Sequence, residues 1–204
     1  MISQSDIPKG EELFTAWLGA SRDSSSAQQN SFYTFGFIDN DALSSINATA
    51  DGMHYTPVDN SQGFWQFSSE STAVNGTPVA QRGNTAIADT GTTLALVSDA
   101  VVKALYAAIP GSKYDSTQQG YLIPSDIDVS TLPTFTVDVG GQSFTIQKED
   151  LLYSDVGNGF TYGGVQSRGE QDFDILGDTF LKSVYAVFDQ GNKRFGVVQR
   201  TGST

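Results

Sequence analysis

An aspartate stands between two apolar runs in Ala86-Ile87-Ala88-Asp89-Thr90-Gly91-Thr92-Thr93-Leu94-Ala95-Leu96-Val97. A carboxylate flanked by strands that enter a core loses solvation, and that loss must be offset locally. Thr90 and Thr92 bring hydroxyl donors, and Gly91 permits a tight turn with exposed amides. Together they can hold a partly buried carboxylate in one orientation, fit for general acid or base work. An ordinary Asp-Thr-Gly turn between two strands would use the same residues. What favours chemistry is a second stretch 85 residues on, Asp174-Ile175-Leu176-Gly177-Asp178-Thr179-Phe180-Leu181, where an apolar pair closes on glycine at the start of a helix.

The elements that must position these residues are mostly strands. Short alternating apolar segments separated by Gly, Ser, Asn and Asp predict an antiparallel sheet protein with largely local pairing. The expected strands are 13–18, 32–38, 53–58, 64–67, 85–88, 94–97, 135–139, 144–146, 184–189 and 194–198. Gly140-Gly141 and Gln190-Gly191-Asn192 have hairpin chemistry. One helix is expected over 99–109, capped by Ser98, with Val101, Leu105, Ala108 and Ile109 on its apolar face and Pro110-Gly111 as its stop. A shorter helix begins at Asp178 as cap and carries Phe180, Leu181 and Val184. The run 21–31, nearly free of apolar residues, reads as a surface loop, and neither an internal repeat nor a domain boundary is visible.

Composition narrows the functions. The 204 residues, 38% hydrophobic and 17% charged, suffice for a folded core. Eleven basic against 23 acidic side chains, a net charge of −12, argue against nucleic acid as a partner. Zero cysteines exclude a disulfide, a Cys-ligated zinc and a thiol nucleophile. No run approaches the roughly 18 apolar residues of a membrane-spanning helix, and the N-terminal residues lack signal-peptide order, so a soluble chain is expected. His54, the sole histidine, reads as a strand side chain, and no Gly-x-Ser-x-Gly elbow accompanies it. Asp126 and Asp128 form a close acidic pair without calcium-loop spacing, so neither metal nor cofactor is expected. Asn47-Ala48-Thr49 and Asn75-Gly76-Thr77 match the N-glycosylation acceptor pattern, which bears only on an exported chain. Phe64, Trp65 and Phe67 read as core and sheet-face packing rather than a ligand platform. With so many carboxyls, acid should relieve self-repulsion and tighten the fold.

At the Asp89 loop and the Ile175-Leu176-Gly177 strand the sequence resembles the pepsin-like aspartic proteases, in particular the carboxy-terminal lobe of the secreted fungal members. Further matches follow in family order. Tyr33-Thr34-Phe35-Gly36-Phe37-Ile38-Asp39 is similar to the family's Phe-Gly-x-Ile-Asp strand, and Gly63-Phe64-Trp65-Gln66-Phe67 to its Gly-Phe-Trp strand. Tyr162-Gly163-Gly164-Val165-Gln166, Phe188-Asp189 and Arg194-Phe195-Gly196-Val197 complete the set, and the resemblance covers about residues 13 to 200.

The resemblance implies one lobe over 13–204, with 1–12 as a linker or lobe junction, and a ψ-shaped active-site loop. It makes Asp89 the lobe's catalytic aspartate and Thr90 a buried threonine reaching toward an opposite lobe. Gly91 would present backbone to substrate, Thr92 would hydrogen-bond the outer Asp89 oxygen, and Thr93 would contact substrate backbone. Ile175, Leu176 and Gly177 would be the supporting strand. Many relatives carry a disulfide where this chain has Ser125 and Thr161. One Asp-Thr-Gly is present, with no Asp-Ser-Gly and no glycine-rich flap bearing a tyrosine. The implied partner is therefore an amino-terminal lobe, with a peptide or protein substrate, no nucleic acid and no membrane. Two other arrangements are compatible with these residues: a symmetric homodimer, and a non-catalytic binding or decoy protein. The family setting implies an extracellular or vacuolar location.

Overall fold

Alternation of apolar and polar residues turns one face of each strand inward, and the computed structural model, which describes residues 7–20 and 30–200, is accordingly mostly β. In chain order it contains β1 (Leu13–Trp17), β2 (Phe32–Phe35), α1 (Asn40–Ser45), β3 (His54–Pro57), β4 (Gln66–Ser68), β5 (Ser71–Val74), β6 (Thr77–Ala80), β7 (Thr85–Ala88) and β8 (Ala95–Val97). Then come α2 (Asp99–Ala107), β9 (Lys113–Asp115), β10 (Gly120–Pro124), β11 (Phe135–Val139), β12 (Gln142–Ile146), β13 (Leu152–Gly157), β14 (Phe160–Gly163) and β15 (Val165–Ser167). The chain closes with β16 (Asp174–Leu176), α3 (Asp178–Leu181), β17 (Val184–Asp189) and β18 (Arg194–Gln199). No helix among the described residues is long and apolar enough to cross a membrane.

The chain divides into two compact units, 1–67 with 181–204, and 68–180. No boundary is legible in the sequence because the first unit is discontinuous: its early strands pair with its last ones. β2, β1, β17, β18 and β3 form one antiparallel sheet in that order, with Leu13 opposite Asp189 and Phe195 opposite Thr56. Its core gathers Trp17, Leu43, Ile46, Met53, Tyr185 and Val187. Phe14 stacks on Phe188 at 4.4 Å, and Trp65 meets both rings edge-on. Phe67 is buried and stacks on Phe195, as expected of a packing residue, whereas Phe64 is 42% exposed.

The second unit holds three sheets: β12-β11-β5-β6, β13-β14-β10-β9, and one in which β15, β8, β16 and β7 lie side by side in that order. Val97, Val101, Leu105, Ile123, Phe135, Val137, Phe144 and Ile146 are buried there. The Gly140-Gly141 hairpin is present, with Val139 opposite Gln142 and both glycines at positive φ. The hairpin at Gln190–Asn192 is present too, closing Asp189 onto Arg194.

Several expectations are corrected. Strand 32–38 ends at Phe35, because Gly36 turns at φ +84° and Thr34 Oγ1 donates to Phe37 O. Asp39 then accepts from Asp41 N and Ala42 N and caps α1, a helix the strand reading concealed. Ser98 occupies the cap position of α2 but its hydroxyl donates to Gln81 Oε1 instead. That helix ends at Ala107, and Asp178 lies inside the first turn of α3 rather than before it. Strands 64–67 and 53–58 shrink to β4 and β3. Pairing is not largely local: β1–β17, β3–β18, β5–β11 and β7–β16 join distant segments, and β7–β16 and β8–β15 are parallel. The 21–31 loop falls mostly outside the described residues, as does half of the 1–12 segment.

Ser125 Oγ and Thr161 Oγ1 stand 3.0 Å apart in a hydrogen bond, beside the pairing of β10 with β14. The double substitution Ser125→Cys/Thr161→Cys should therefore oxidise readily. It would close a loop 36 residues apart in sequence, and raise stability by about 3–4 kcal/mol by loop-closure entropy. Urea unfolding with and without reductant measures this, and equal midpoints would refute it.

Candidate active site

β7 runs inward through Ala86, Ile87 and Ala88, all buried, and delivers Asp89 at its end into a turn that is only partly covered. The Asp89 carboxylate is held by two donors. Oδ1 accepts from Gly91 N–H at 2.9 Å and Oδ2 from the Thr92 hydroxyl at 2.6 Å. Short bonds to an ionised acceptor are the strong ones, and they fix the orientation of the carboxylate. The Asp89 N–H donates to Leu176 O at 3.2 Å, so the adjacent strand also grips the backbone of this residue.

β16 is that adjacent strand. It pairs in parallel with β7, Leu176 opposite Ala88, and antiparallel with β8, Leu176 opposite Ala95. Its continuation threads the loop: Asp178 N–H donates to Thr92 O at 2.8 Å and Thr179 N–H to Thr93 O at 2.9 Å. Thr179 Oγ1 adds a bond to Thr93 O at 3.2 Å. Gly177 is buried between them, where a Cβ would stand 2.1 Å from Thr92 O and 2.5 Å from Leu94 O. Only glycine fits that approach.

The structure thus brings Asp89, Gly91, Thr92, Leu176 and Gly177 together, with Ile175 one position back on β16. Thr90 is half-buried, and Gly91 and Thr93 are exposed. The sequon residues lie elsewhere: Asn47 follows α1 and Asn75 is in the β5–β6 turn, both exposed and at positive φ. Asn75 Oδ1 also accepts from Thr134 N–H at 3.0 Å. His54 sits half-buried on β3, opposite Val197. Asp128 accepts from Ser130 N–H and caps a short turn.

Sequence reading passed over a buried polar cluster at the far end of the same strands. The Asp174 carboxylate, 1% exposed, receives Arg168 Nη1 at 2.7 Å, Asn84 Nδ2 at 2.9 Å and Gln81 Nε2 at 3.3 Å. The available signal was a carboxylate at the head of the apolar pair Ile175-Leu176, the same anomaly that marks Asp89. Burial pushes the Asp174 carboxyl above the usual carboxylate range, outweighing Arg168 and the hydrogen bonds from Asn84 and Gln81. Asp189 goes the other way: burial opposes ionisation, but bonds from Asn192 and Arg194 win and hold it low. Asp59, Asp115 and Asp128 are also held low by nearby donors, from Ser61, from Gln118 and Thr117, and from Ser130.

These shifts give opposite pH slopes. A raised carboxyl binds its proton more tightly when folded, so its stabilisation is full below the unfolded value of about 3.9 and fades as pH rises through the folded value. Depressed carboxyls stabilise above that unfolded value and lose their contribution as pH falls through the folded one. Between pH 7 and 4.5 the depressed groups stay largely ionised in both states, leaving Asp174 and the net charge to act. Tm should rise over that acidification by about 2–4 °C, the response of a domain this size to roughly 1 kcal/mol. It should turn down below about pH 4. Asp174→Asn should flatten the rise. Calorimetry across the range checks this, and a Tm that falls from pH 7 to 4.5 contradicts it.

The site is thus a strand-borne aspartate braced by Gly91 and Thr92, with a strand ending in glycine threaded through its loop. The description "eukaryotic aspartyl protease" belongs to the family model that matches residues 1–200, and the chain belongs to that family. It is 43% identical over 164 residues to aspergillopepsin-1 of Aspergillus pseudoglaucus, covering 80% of this chain and 40% of that protein. Penicillopepsin-3 of Penicillium janthinellum is 42% identical over 166 residues, with the same shares covered. The aspartic proteinase from Irpex lacteus superposes with a TM-score of 0.74 at 24% identity, covering 100% of this chain and 60% of that one, a likeness of fold. The chain therefore spans about 40% of the length of the curated relatives it matches.

Proposed function

We propose that this chain is the carboxy-terminal lobe of an aspartic endopeptidase and contributes Asp89 as one of two carboxyl groups that hydrolyse peptide bonds at acid pH. The observation that carries the reading is the Asp89 carboxylate, oriented by Gly91 N–H and the Thr92 hydroxyl at the end of a strand locked by Gly177. Peptide hydrolysis needs a base to take a proton from the attacking water and an acid to meet the developing oxyanion. One carboxyl group cannot be ionised and protonated at once. Two facing each other can share a proton, since like charges a few ångströms apart do not both ionise.

A single Asp-Thr-Gly occurs in these 204 residues, so the second carboxyl comes from a partner lobe, and the isolated chain is inert. Gly91 and Thr93, both exposed beside Asp89, offer backbone and hydroxyl groups to an extended peptide. Thr90 faces the partner lobe. An extracellular or vacuolar site of action fits an acid-pH enzyme.

The test is assembly. Co-refolding the chain with an amino-terminal lobe of a fungal relative should give pepstatin-sensitive peptide cleavage near pH 4, with neither half active alone. Cleavage by this chain alone, with sedimentation showing a dimer, would replace the partner lobe with a second copy. No cleavage from a stoichiometric, folded complex would refute the reading.

A further inference from the structure

β16 is three residues long, and its backbone hydrogen bonds are the same in any register, whereas a slip of one residue would send every side chain to the opposite face. Two features of β16 and its continuation mark the correct register. Gly177 does so at the Asp89 end by its contact with Thr92 O. Asp174 does so at the other end.

We propose that Asp174 is a positioning residue that pins the register of β16 and so holds the Asp89 loop in its geometry; this rests on the reading of Asp89 as the catalytic carboxylate. Asp174 is the first residue of β16, and two of its three partners, Asn84 and Arg168, flank the same end of β7 and β15 in that sheet, while the third, Gln81, is tied to the same end of β8 through Ser98. Asn84 immediately precedes β7, Arg168 immediately follows β15, and Ser98, bound to Gln81, immediately follows β8. β16 runs parallel to β7 and antiparallel to β8, while β15 runs parallel to β8, so these four positions fall at one edge.

The cluster is closed by further bonds. Arg168 Nη1 also donates to Asn84 Oδ1 at 2.7 Å, and Arg168 N–H to Val97 O at 2.9 Å. Asn84 exchanges bonds with Ser69, Nδ2 to O at 2.9 Å and Ser69 N–H to Asn84 O at 3.0 Å. A slip of β16 by one residue would put Phe173 or Ile175 against Arg168, Asn84 and Gln81. A largely buried guanidinium would then lack its carboxylate, which is strongly unfavourable. Asp89 lies about 10 Å along the strands from this pin, three residues at roughly 3.3 Å each. It receives the register through Leu176 O and Gly177.

The test is amide hydrogen exchange on this chain, read at Asp89, Asp178 and Thr179, whose N–H groups bond Leu176, Thr92 and Thr93, with the β11–β12 amides as reference. Asp174→Ala should speed exchange at those three amides about tenfold or more over the reference, as local opening without global unfolding does. Asp174→Asn, which keeps an acceptor oxygen, should restore protection to within about threefold. In the assembled enzyme Asp174→Ala should lower kcat about tenfold or more with KM unchanged, as a slightly misplaced reacting group does.

Exchange rising equally at the reference amides, or not rising, would make Asp174 merely structural and overturn the proposal. Should Asp174→Ala not fold, Arg168→Gln, which leaves Asn84 and Gln81 on the carboxylate, takes its place in the same measurement. Failure of the protease reading shows separately, as no cleavage by the wild-type pair, because the exchange ratios are measured without substrate.

Discussion

Asp89→Asn is expected to lower kcat of the assembled two-lobe enzyme about 10⁴-fold, at the upper end of what general acid–base catalysis supplies. KM should change little. The amide of asparagine preserves the shape of the side chain and one acceptor oxygen. Either Gly91 N–H or the Thr92 hydroxyl, now bonded to Oδ1 and Oδ2 respectively, keeps a partner. What the amide cannot do is take a proton from water or share one with a facing carboxyl. Stability of the isolated lobe should therefore stay within about 1 kcal/mol, and denaturant unfolding beside steady-state kinetics separates the two effects. Retention of more than a few per cent of kcat would remove Asp89 from the chemistry. Thr92→Val offers a milder contrast: it deletes only the donor at 2.6 Å, so the carboxylate stays but loses its fixed orientation.

Gly177→Ala should destabilise the chain by on the order of 4 kcal/mol or more, the range reserved for unrelievable clashes. The added Cβ would stand 2.1 Å from Thr92 O, 2.5 Å from Leu94 O and 2.8 Å from Thr92 C, all backbone atoms. Thr92 O cannot withdraw without breaking its bond from Asp178 N–H at 2.8 Å. Either β16 leaves the loop or the loop opens, and Asp89 loses its hold on Leu176 O. Urea unfolding would show the loss as a shifted midpoint at unchanged slope. A change below about 1 kcal/mol would mean that the strand does not thread the loop. Gly91→Ala makes the useful comparison. Its Cβ would stand 3.2 Å from Asp89 Oδ1, so a displacement of a few tenths of an ångström of the carboxylate, felt in kcat rather than in stability, is the expected result.

How much was legible varies with the range of the interaction. The Asp89 loop reads directly, since the carboxylate, the glycine and the two hydroxyls that brace it sit within four consecutive positions. Strands β7, β11 and β17 read to the residue because strict alternation or a continuous apolar run marks them. The strands with no counterpart in the sequence reading, such as β5, β6 and β9, are only three or four residues long, and their Ser, Thr, Pro or charged residues leave too little apolar alternation to mark them. Helix α1 was hidden because the positive φ at Gly36 and the cap by Asp39, not periodicity, end one element and start the next.

The partner of a carboxylate is another matter. Asp174 draws its donors from positions 81, 84 and 168, and no local pattern links residues up to 93 positions apart. The same holds for the hydroxyl pair of Ser125 and Thr161, which became neighbours when β10 met β14.

From the sequence alone came the β class, the acidic balance, the absence of any thiol chemistry and the bracing of Asp89, all matters of composition or of contacts within a few residues. Tertiary structure decided which strand passes through the Asp89 loop, why Gly177 admits no side chain, and that a largely buried ion pair closes the opposite end of the same sheet. Those depend on parallel pairing between segments nearly ninety residues apart, and backbone hydrogen bonding, identical for every residue type but proline, leaves no mark in the sequence of which segment a strand will choose.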